Sequence, residues 1–501
     1  MMYASDHWHN SLSLSTLGRR LLSVPMLLVL LPLCLGILLA ESFMLHPMAI
    51  AITLIAALIT AWRTSPSRLS AVAIAIAITM LGWLAALLGT NTSAVPYNSD
   101  VEMTIEITSP TRDMGEYSSA DGCIVAWYDG TAWRDVEEVV RVWIEDVEVD
   151  YGDRVMLCGT LRPHISRHAD YDELLYRRNY AGGVAIGSYN TLHIGHHNPS
   201  GLQAYAIGKL SRYATLDTSH ATLEAMVAGT RHAMPQSLRD AYSQTGLAHL
   251  MAVSGLHLGI VLIAINILLL PLRLIHRGHR VANILAIVAL WLFVGVCGAS
   301  ASVVRAALML SVLQLSLLSS SRYNSLNALA ATLFVMLLYR TDYLFDISFQ
   351  LSALAVAGII LWGVPLLRTL PQQQGIWRAA LTTLFMGIVA TLWTMPLVSH
   401  TFGHIALIGI LATPLAMLCA YVIVSFGILT LILPHPLSLP FGYVAEWAAY
   451  AQNSIACSLN DWGITGFTYR MSGMEVAICY TLFIAITALI WSINRKKVIT
   501  L

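Results

Sequence analysis

The chain has 501 residues, 57 % of them hydrophobic and only 11 % charged, with 28 basic side chains against 28 acidic ones. A water-soluble protein of this size cannot hide that much apolar surface in its core, so soluble folding is excluded. The zero sum conceals two materials: from Asp100 to Arg178 there are 18 acidic residues, 8 arginines and no lysine, net −10, which leaves the remainder at net +10.

The first apolar run, 21–40, follows Gly18-Arg19-Arg20 and is long enough to cross the hydrocarbon layer as a helix. A cleaved signal peptide is the competing reading. The run is long, no A-x-A site follows it, and further apolar runs come directly after at 45–62 and 70–89, which favours three retained spans. Placing Arg19, Arg20, Arg63 and Arg68 in the cytoplasm satisfies the positive-inside rule, and the polar insert then begins outside.

Within the insert the hydrophobic period changes to two. Residues 101–107 (VEMTIEI) and 140–145 (VRVWIE) alternate, and 122–128, 154–161 and 189–194 read as further short strands. So many short strands in so short a stretch predict a small closed β-barrel of OB-like fold. A net charge of −10 opposes a non-specific grip on phosphates, so the insert reads as a scaffold or docking domain ahead of a DNA clamp. Among seven cysteines there is no CxxC pair and no zinc-type Cys/His spacing, and no metal or cofactor is called for. Cys123 and Cys158, both in the insert, are left open as a disulfide or as two thiols.

Residues 201–244 are helical and moderately apolar, with Lys209, Arg212, Arg231 and Arg239 among the apolar positions. They are expected to lie along the membrane surface or to cap a pore mouth, a plain connector being the alternative. Long apolar spans resume at 247–275, 282–297, 302–318, 326–339, 349–367, 379–398, 405–433 and 474–493. Arg273, Arg277 and Arg280, then Arg322, then Arg368 and Arg378 fall on alternate loops, and Arg495-Lys496-Lys497 puts the C-terminus in the cytoplasm with the N-terminus. Counting leaves one conflict between 433 and 474, to which a break at Thr413-Pro414 and an interfacial or extra crossing at 441–462 are the expected answers. The fold class is thus mainly α: a polytopic membrane helix bundle with an inserted, small extracytoplasmic β-barrel. Its divisions are 1–94 (N-terminal spans), 95–200 (β domain), 201–246 (interfacial helices) and 247–501 (the main transmembrane domain).

Polar groups at membrane depth are costly, so those inside the later spans are candidate functional residues. His249, Ser254, Gly255 and His257 lie in 246–259 (GLAHLMAVSGLHLG); Arg305 sits a turn inside its span; Asp346 and Gln350 are four apart, with Ser352 beyond; His400 and His404 bracket Phe402-Gly403. Gathered around one water-filled path, each could stay hydrated. The bland reading is histidines hydrogen-bonded across helices. Tryptophans and tyrosines read first as an interfacial belt and only second as stacking surfaces.

The run 241–259 (AYSQTGLAHLMAVSGLHLG) resembles the signature of the ComEC family of competence DNA-uptake channels. Three segments agree in order: 302–306 (SVVRA); 344–352 (LFDISFQLS) with Ala355, Val356 and Gly358; and 394–397 (TMPL) with Phe402. Upstream, Tyr171-Asp172, Tyr176 and Arg177 resemble the end of that family's β insert. The chain departs at Ala301, where the family often has Pro, at Ser348, where Gly is usual, and in lacking the Asn expected after Phe402. It also has no HxHxDH cluster of the C-terminal metallo-β-lactamase-like domain that many relatives carry, and so reads as a short form.

The resemblance implies an inner-membrane channel passing single-stranded DNA into the cytoplasm, lined by His249, Ser254, Gly255, His257, Arg305, Asp346, Gln350 and Ser352. It further implies contact with membrane lipids, separate nuclease, DNA-receptor and ATPase components, and room for a homo-oligomer. No Walker-type GxxxxGK[ST] run is present. Two other classes stand beside it: an intramembrane serine hydrolase using Ser254 with His257 or His249, which lacks a G-x-S-x-G elbow, and a transporter of another anionic or lipid-linked solute.

Overall fold

The computed structural model describes residues 24–43, 46–65, 67–88, 93–109, 111–113, 117–149, 151–163, 180–195, 201–213, 217–230, 234–251, 253–275, 278–319, 324–367, 376–406, 408–463 and 466–499. Arg19, Arg20, Arg231, Arg277, Arg322, Arg368 and the motif at 171–177 lie outside these. Three apolar helices come first: α1 (Pro25–Ser42), α2 (Pro47–Arg63) and α3 (Arg68–Leu88). The strands are β1 (Asp100–Ile107), β2 (Arg112–Asp113), β3 (Ser118–Tyr128), β4 (Trp133–Glu145), β5 (Arg154–Thr160), β6 (Tyr180–Gly187) and β7 (Thr191–Gly195). Then follow α4 (Leu202–Leu210), α5 (Asp217–Val227), α6 (Gln236–Gln244), α7 (Gly255–Leu268), α8 (Gly278–Val296), α9 (Ala301–Ser319), α10 (Ser325–Tyr339), α11 (Ile347–Gly358) and α12 (Ile376–Phe402). After the short β8 (His404–Ile405) come α13 (Ile408–Ile432), α14 (Leu439–Asp461), β9 (Phe467–Thr468) and α15 (Gly473–Ile499).

Among the described residues, five helical stretches are long and apolar enough to cross a membrane, Arg68–Leu87, Gly278–Val296, Ile347–Leu367, Leu381–Phe402 and Ile408–Ile432, and six shorter apolar helices accompany them. The chain divides into two compact units, one made of Met1–Gly89, Ser311–Ile405 and Phe467–Leu501, the other of Thr90–Leu310 and Ala406–Gly466.

In the first unit, α1 and α3 cross at glycines. A Cβ on Gly82 would stand 2.5 Å from the Leu33 carbonyl, and one on Gly36 would meet that of Thr79, so the small residues allow the backbones to touch. The Met26 N–H donates to Asn327 Oδ1 at 3.0 Å, joining α1 to α10. In the same unit Trp362 packs edge to face on Trp393 and on Phe483, with its indole N–H donating to Thr487 Oγ1 at 2.7 Å.

The second unit holds the sheet, in strand order β6-β4-β3-β1-β5-β7 with β2 on β3. Alternation puts Met103, Ile105 and Ile107 of β1 on one buried face with Ile124, Val142, Val155, Leu157 and Ile186. Strand β6 (YAGGVAIG) pairs in parallel with β4; its unbroken run of apolar and glycine positions hides the period-two signal, so it does not read as a strand from the sequence. Among the described residues the ladder runs as a path from β6 to β7. Among the described residues one bridge, Arg162 to Gly183 with two hydrogen bonds of 2.9 Å, links its two sides, and this does not amount to the closed barrel expected. Cys123 and Cys158 are free thiols. They sit opposite Glu106 and Glu102 on strands flanking β1, about 10 Å apart in the pairing direction alone, too far for a disulfide.

Within the stretch 201–246, α5 packs against α13 and α14, with Ser219 and 221–227 buried. The span expected over 247–275 is broken: a 3₁₀ turn at Ala248–Leu250 precedes α7, which starts only at Gly255. Pro414 does not break α13, which runs through it while the Thr413 hydroxyl donates to the Gly409 carbonyl. Helix α14, 23 residues long, packs on α13.

Candidate functional site

The signature segment enters from α6 through Gly246, whose φ of +74° lies in the left-handed region. A Cβ there would meet the Ala406 carbonyl at 2.8 Å, and one on Gly409 would meet the Thr245 carbonyl at 2.9 Å. Glycine is therefore required on both sides of this backbone crossing. It fixes the His249 turn against the start of α13.

His249 is exposed, and its Nδ1 lies 3.1 Å from the Gly246 carbonyl, so Nδ1 carries the proton. Ser254 is the N-cap of α7, in extended backbone, and forms a capping box with His257. The Ser254 N–H donates to His257 Nδ1 at 3.0 Å, which leaves the proton of the neutral ring on Nε2. Histidine thus occupies the place that glutamate or glutamine usually takes in this motif. Ser254 is half-buried and His257 fully buried.

Gly255 opens the first turn of α7 beside α9; a Cβ on it would rest 3.4 Å from Ala306 Cβ. One residue earlier, Arg305 is only 2 % exposed. Its Nη2 donates to Ser302 Oγ at 3.2 Å, while Nη1 has no partner among the described residues. Its helix neighbours Val303, Ala306 and Ala307 belong to an apolar cluster that also holds Val253 and Leu258. The structure therefore brings the Ser254–His257 cap and the Arg305 helix into one cluster of the second unit.

Asp346, Gln350 and Ser352 belong to the first unit. Asp346 is the N-cap of α11, accepting from the Phe349 N–H at 2.9 Å, and Gln350 Nε2 donates to the Leu344 carbonyl at 2.7 Å. Ser352 is half-buried two residues on. His400 Nδ1 donates to the Met471 carbonyl at 2.8 Å, and β8 pairs with β9, so the end of α12 is pinned to the segment before α15.

A second polar group escaped the sequence reading. In the second unit Tyr242 and Thr222 both donate to Asn453 Oδ1, at 2.8 and 2.9 Å, and Asn453 Nδ2 donates to the Thr218 carbonyl at 3.1 Å. On the same helix α5, His220 Nε2 and Glu224 Oε1 are 2.9 Å apart. The i,i+4 spacing of His220 and Glu224 and the polar face of α14 (Glu446, Gln452, Asn453) were the available signals. Among the described residues no group of His, Cys, Asp and Glu could hold a metal ion.

The family model described as Competence protein matches residues 226–496, more than half of the chain and all of the signature segment. The chain belongs to the competence protein family. Residues of this competence protein are 27 % identical over 252 positions to ComE operon protein 3 of Bacillus subtilis (strain 168), covering 48 % of the chain and 30 % of that relative. An uncharacterized protein of Aquifex aeolicus (strain VF5) is 28 % identical over 200 residues, 40 % of this chain and 44 % of its own. The uncharacterized protein YcaI of Escherichia coli (strain K12) is 27 % identical over 195 residues, 38 % and 26 %. The match thus spans less than half the length of each of these relatives. No solved structure matches the chain. With its family and its apolar helices together, this is a multi-pass membrane protein.

Proposed function

We propose that this competence protein is an inner-membrane channel that passes one strand of DNA into the cytoplasm during natural transformation, with both termini cytoplasmic. The observation that carries the reading is Arg305. A guanidinium 2 % exposed on a helix of an apolar cluster, with one hydroxyl as its hydrogen-bond partner among the described residues, is costly in a dry bundle and tolerable beside water or an anion. A strand with one phosphate per nucleotide is such an anion, and its passage needs positive or hydrogen-bonding groups that bind weakly enough to let go. His249, Ser254 and His257 extend the polar lining in the second unit, and Asp346, Gln350 and Ser352 are the lining residues assigned in the first. Gly255 lets α7 start close to α9. The β sheet, in this reading an OB-like module facing outward, serves as a scaffold or docking domain, because its charge repels a strand. Nuclease, DNA-receptor and ATPase functions fall to other polypeptides, and copies of the chain have room to assemble.

The Ser254–His257 pair supports a helix cap better than a nucleophile and base, since His257 Nδ1 takes the Ser254 backbone N–H. The test is a transformation assay on a deletion strain carrying Arg305→Gln, scoring labelled DNA bound outside separately from DNA in a nuclease-protected cytoplasmic pool. The reading expects normal capture with at least a tenfold loss of protected DNA, about 1.4 kcal/mol in the passage barrier. Unchanged delivery by a variant present at the wild-type level in the membrane contradicts it.

A further inference from the structure

Between Asp240 and Asp342 the sequence contains no aspartate or glutamate, yet it carries Arg273, Arg277, Arg280, Arg305, Arg322 and Arg340. Arg340 pairs with Asp342 at 3.6 Å, and the arginines before it have no carboxylate nearby in the sequence. At Arg273 the structure shows what takes its place. The guanidinium Nη2 donates to Asn266 Oδ1 on α7 and, at 3.1 Å, to Asn283 Oδ1 on α8. Both acceptors are neutral amides, and Asn283 is buried. Arg273 Nε is buried without a hydrogen-bond partner, and no ion pair involves Arg273 among the described residues. Two asparagines from consecutive helices thus hold the side chain in one orientation without neutralising its charge.

The surroundings say what completes it. Ile267, Leu268, Leu270, Leu274 and Ile275 are all well exposed, Leu274 at 85 %, and in a multi-pass membrane protein such side chains meet acyl chains. His279 and Arg280 stand exposed at the start of α8, itself of crossing length and composition. Apolar surface for two chains, a fixed cation and a second basic residue at the end of a span match an anionic phospholipid in that leaflet.

We propose that Arg273, clamped by Asn266 and Asn283 and flanked by Arg280, is a binding site for the phosphate of an anionic phospholipid headgroup. The site fastens the α7–α8 turn to the membrane boundary and is independent of whether the chain carries DNA.

The test uses the full-length protein in nanodiscs of phosphatidylcholine alone and of phosphatidylcholine doped with phosphatidylglycerol, with co-purifying lipid measured by mass spectrometry after detergent extraction. The wild type should retain phosphatidylglycerol over phosphatidylcholine, and Arg273→Gln should lower that preference about tenfold. Asn266→Ala, which keeps the charge and removes half the clamp, should lower it less, and this variant keeps the test decisive if Arg273→Gln fails to assemble. Competition by inorganic phosphate that displaces phosphatidylglycerol as well as a lipid does would show a free-anion site and overturn the lipid assignment. So would competition by a single-stranded oligonucleotide. Equal retention of the two lipids by the wild type, or an unchanged preference in both variants, overturns the site altogether.

Discussion

The Ser254 backbone N–H donates to His257 Nδ1 at 3.0 Å, so a histidine that stands out in an apolar sequence closes the first turn of α7. Two roles then meet on one ring. Nδ1 is committed to the cap, and only Nε2 remains to act on anything else. Glutamine is the ordinary residue at this position of a capping box. His257→Gln should therefore keep the protein folded and in the membrane, whereas His257→Ala should cost about 1 kcal/mol of helix stability. If the ring also lines the DNA path, His257→Gln reaches the membrane at the normal level but delivers less DNA. Normal delivery by His257→Gln with poor accumulation of His257→Ala would reduce His257 to a structural cap.

Gly246 and Gly409 provide a test of the backbone crossing that supports this cap. Gly246→Ala places a Cβ 2.8 Å from the Ala406 carbonyl at a φ of +74°, a conformation that costs an L-residue about 1–2 kcal/mol before any clash is counted. Membrane levels and thermal stability in detergent should fall. Gly208→Ala, whose Cβ would meet nothing within 4 Å, should be neutral. Equal behaviour of the two variants would mean that the crossing is not needed.

The β3–β4 hairpin turns on Asp129. Its carboxylate accepts from the Thr131 hydroxyl at 2.6 Å, from the Thr131 and Ala132 N–H groups at 2.8 and 2.9 Å, and from Arg134 Nε. Bonds to the charged form, the Thr131 hydroxyl first, hold its pKa below the ordinary 3.8. The folded value is depressed, so the stabilisation is complete above 3.8 and is lost as pH falls through the folded value. Hydrogen exchange of the Thr131 and Ala132 amides, corrected for intrinsic rates, should be faster in Asp129→Ala than in wild type at neutral pH, and the difference should shrink in strong acid. A difference independent of pH would place the turn's order elsewhere.

The features legible in the sequence are those with a strong local period. Strand β1 reads directly because Met103, Ile105 and Ile107 alternate with threonine and glutamate, and α2, α3 and α10 follow their apolar runs to within a few residues. Features set by non-local contacts were not legible. Strand β6 borrows its structure from a parallel partner, α13 keeps its course through Pro414, and α5 is buried although Thr218, His220 and Glu224 make it look like a surface helix. At the site, the sequence singles out Ser254, His257 and Arg305 by chemistry that is unusual for a membrane. It does not show that Asp346 and Gln350 spend their hydrogen bonds on the start of α11, because capping geometry emerges only once the helix boundary is known.

The central claim is that an incoming strand travels along the side chains of the signature segment. Photo-crosslinking tests it most directly: benzoylphenylalanine is placed singly at His249, at Ser254 and at the exposed, lipid-type position Leu268, and cells taking up end-labelled DNA are irradiated during uptake. The account predicts adducts between labelled DNA and the protein at 249 and 254, dependent on active uptake, and none at 268. Adducts absent from 249 and 254 while uptake proceeds normally, or equally abundant at 268, would contradict it.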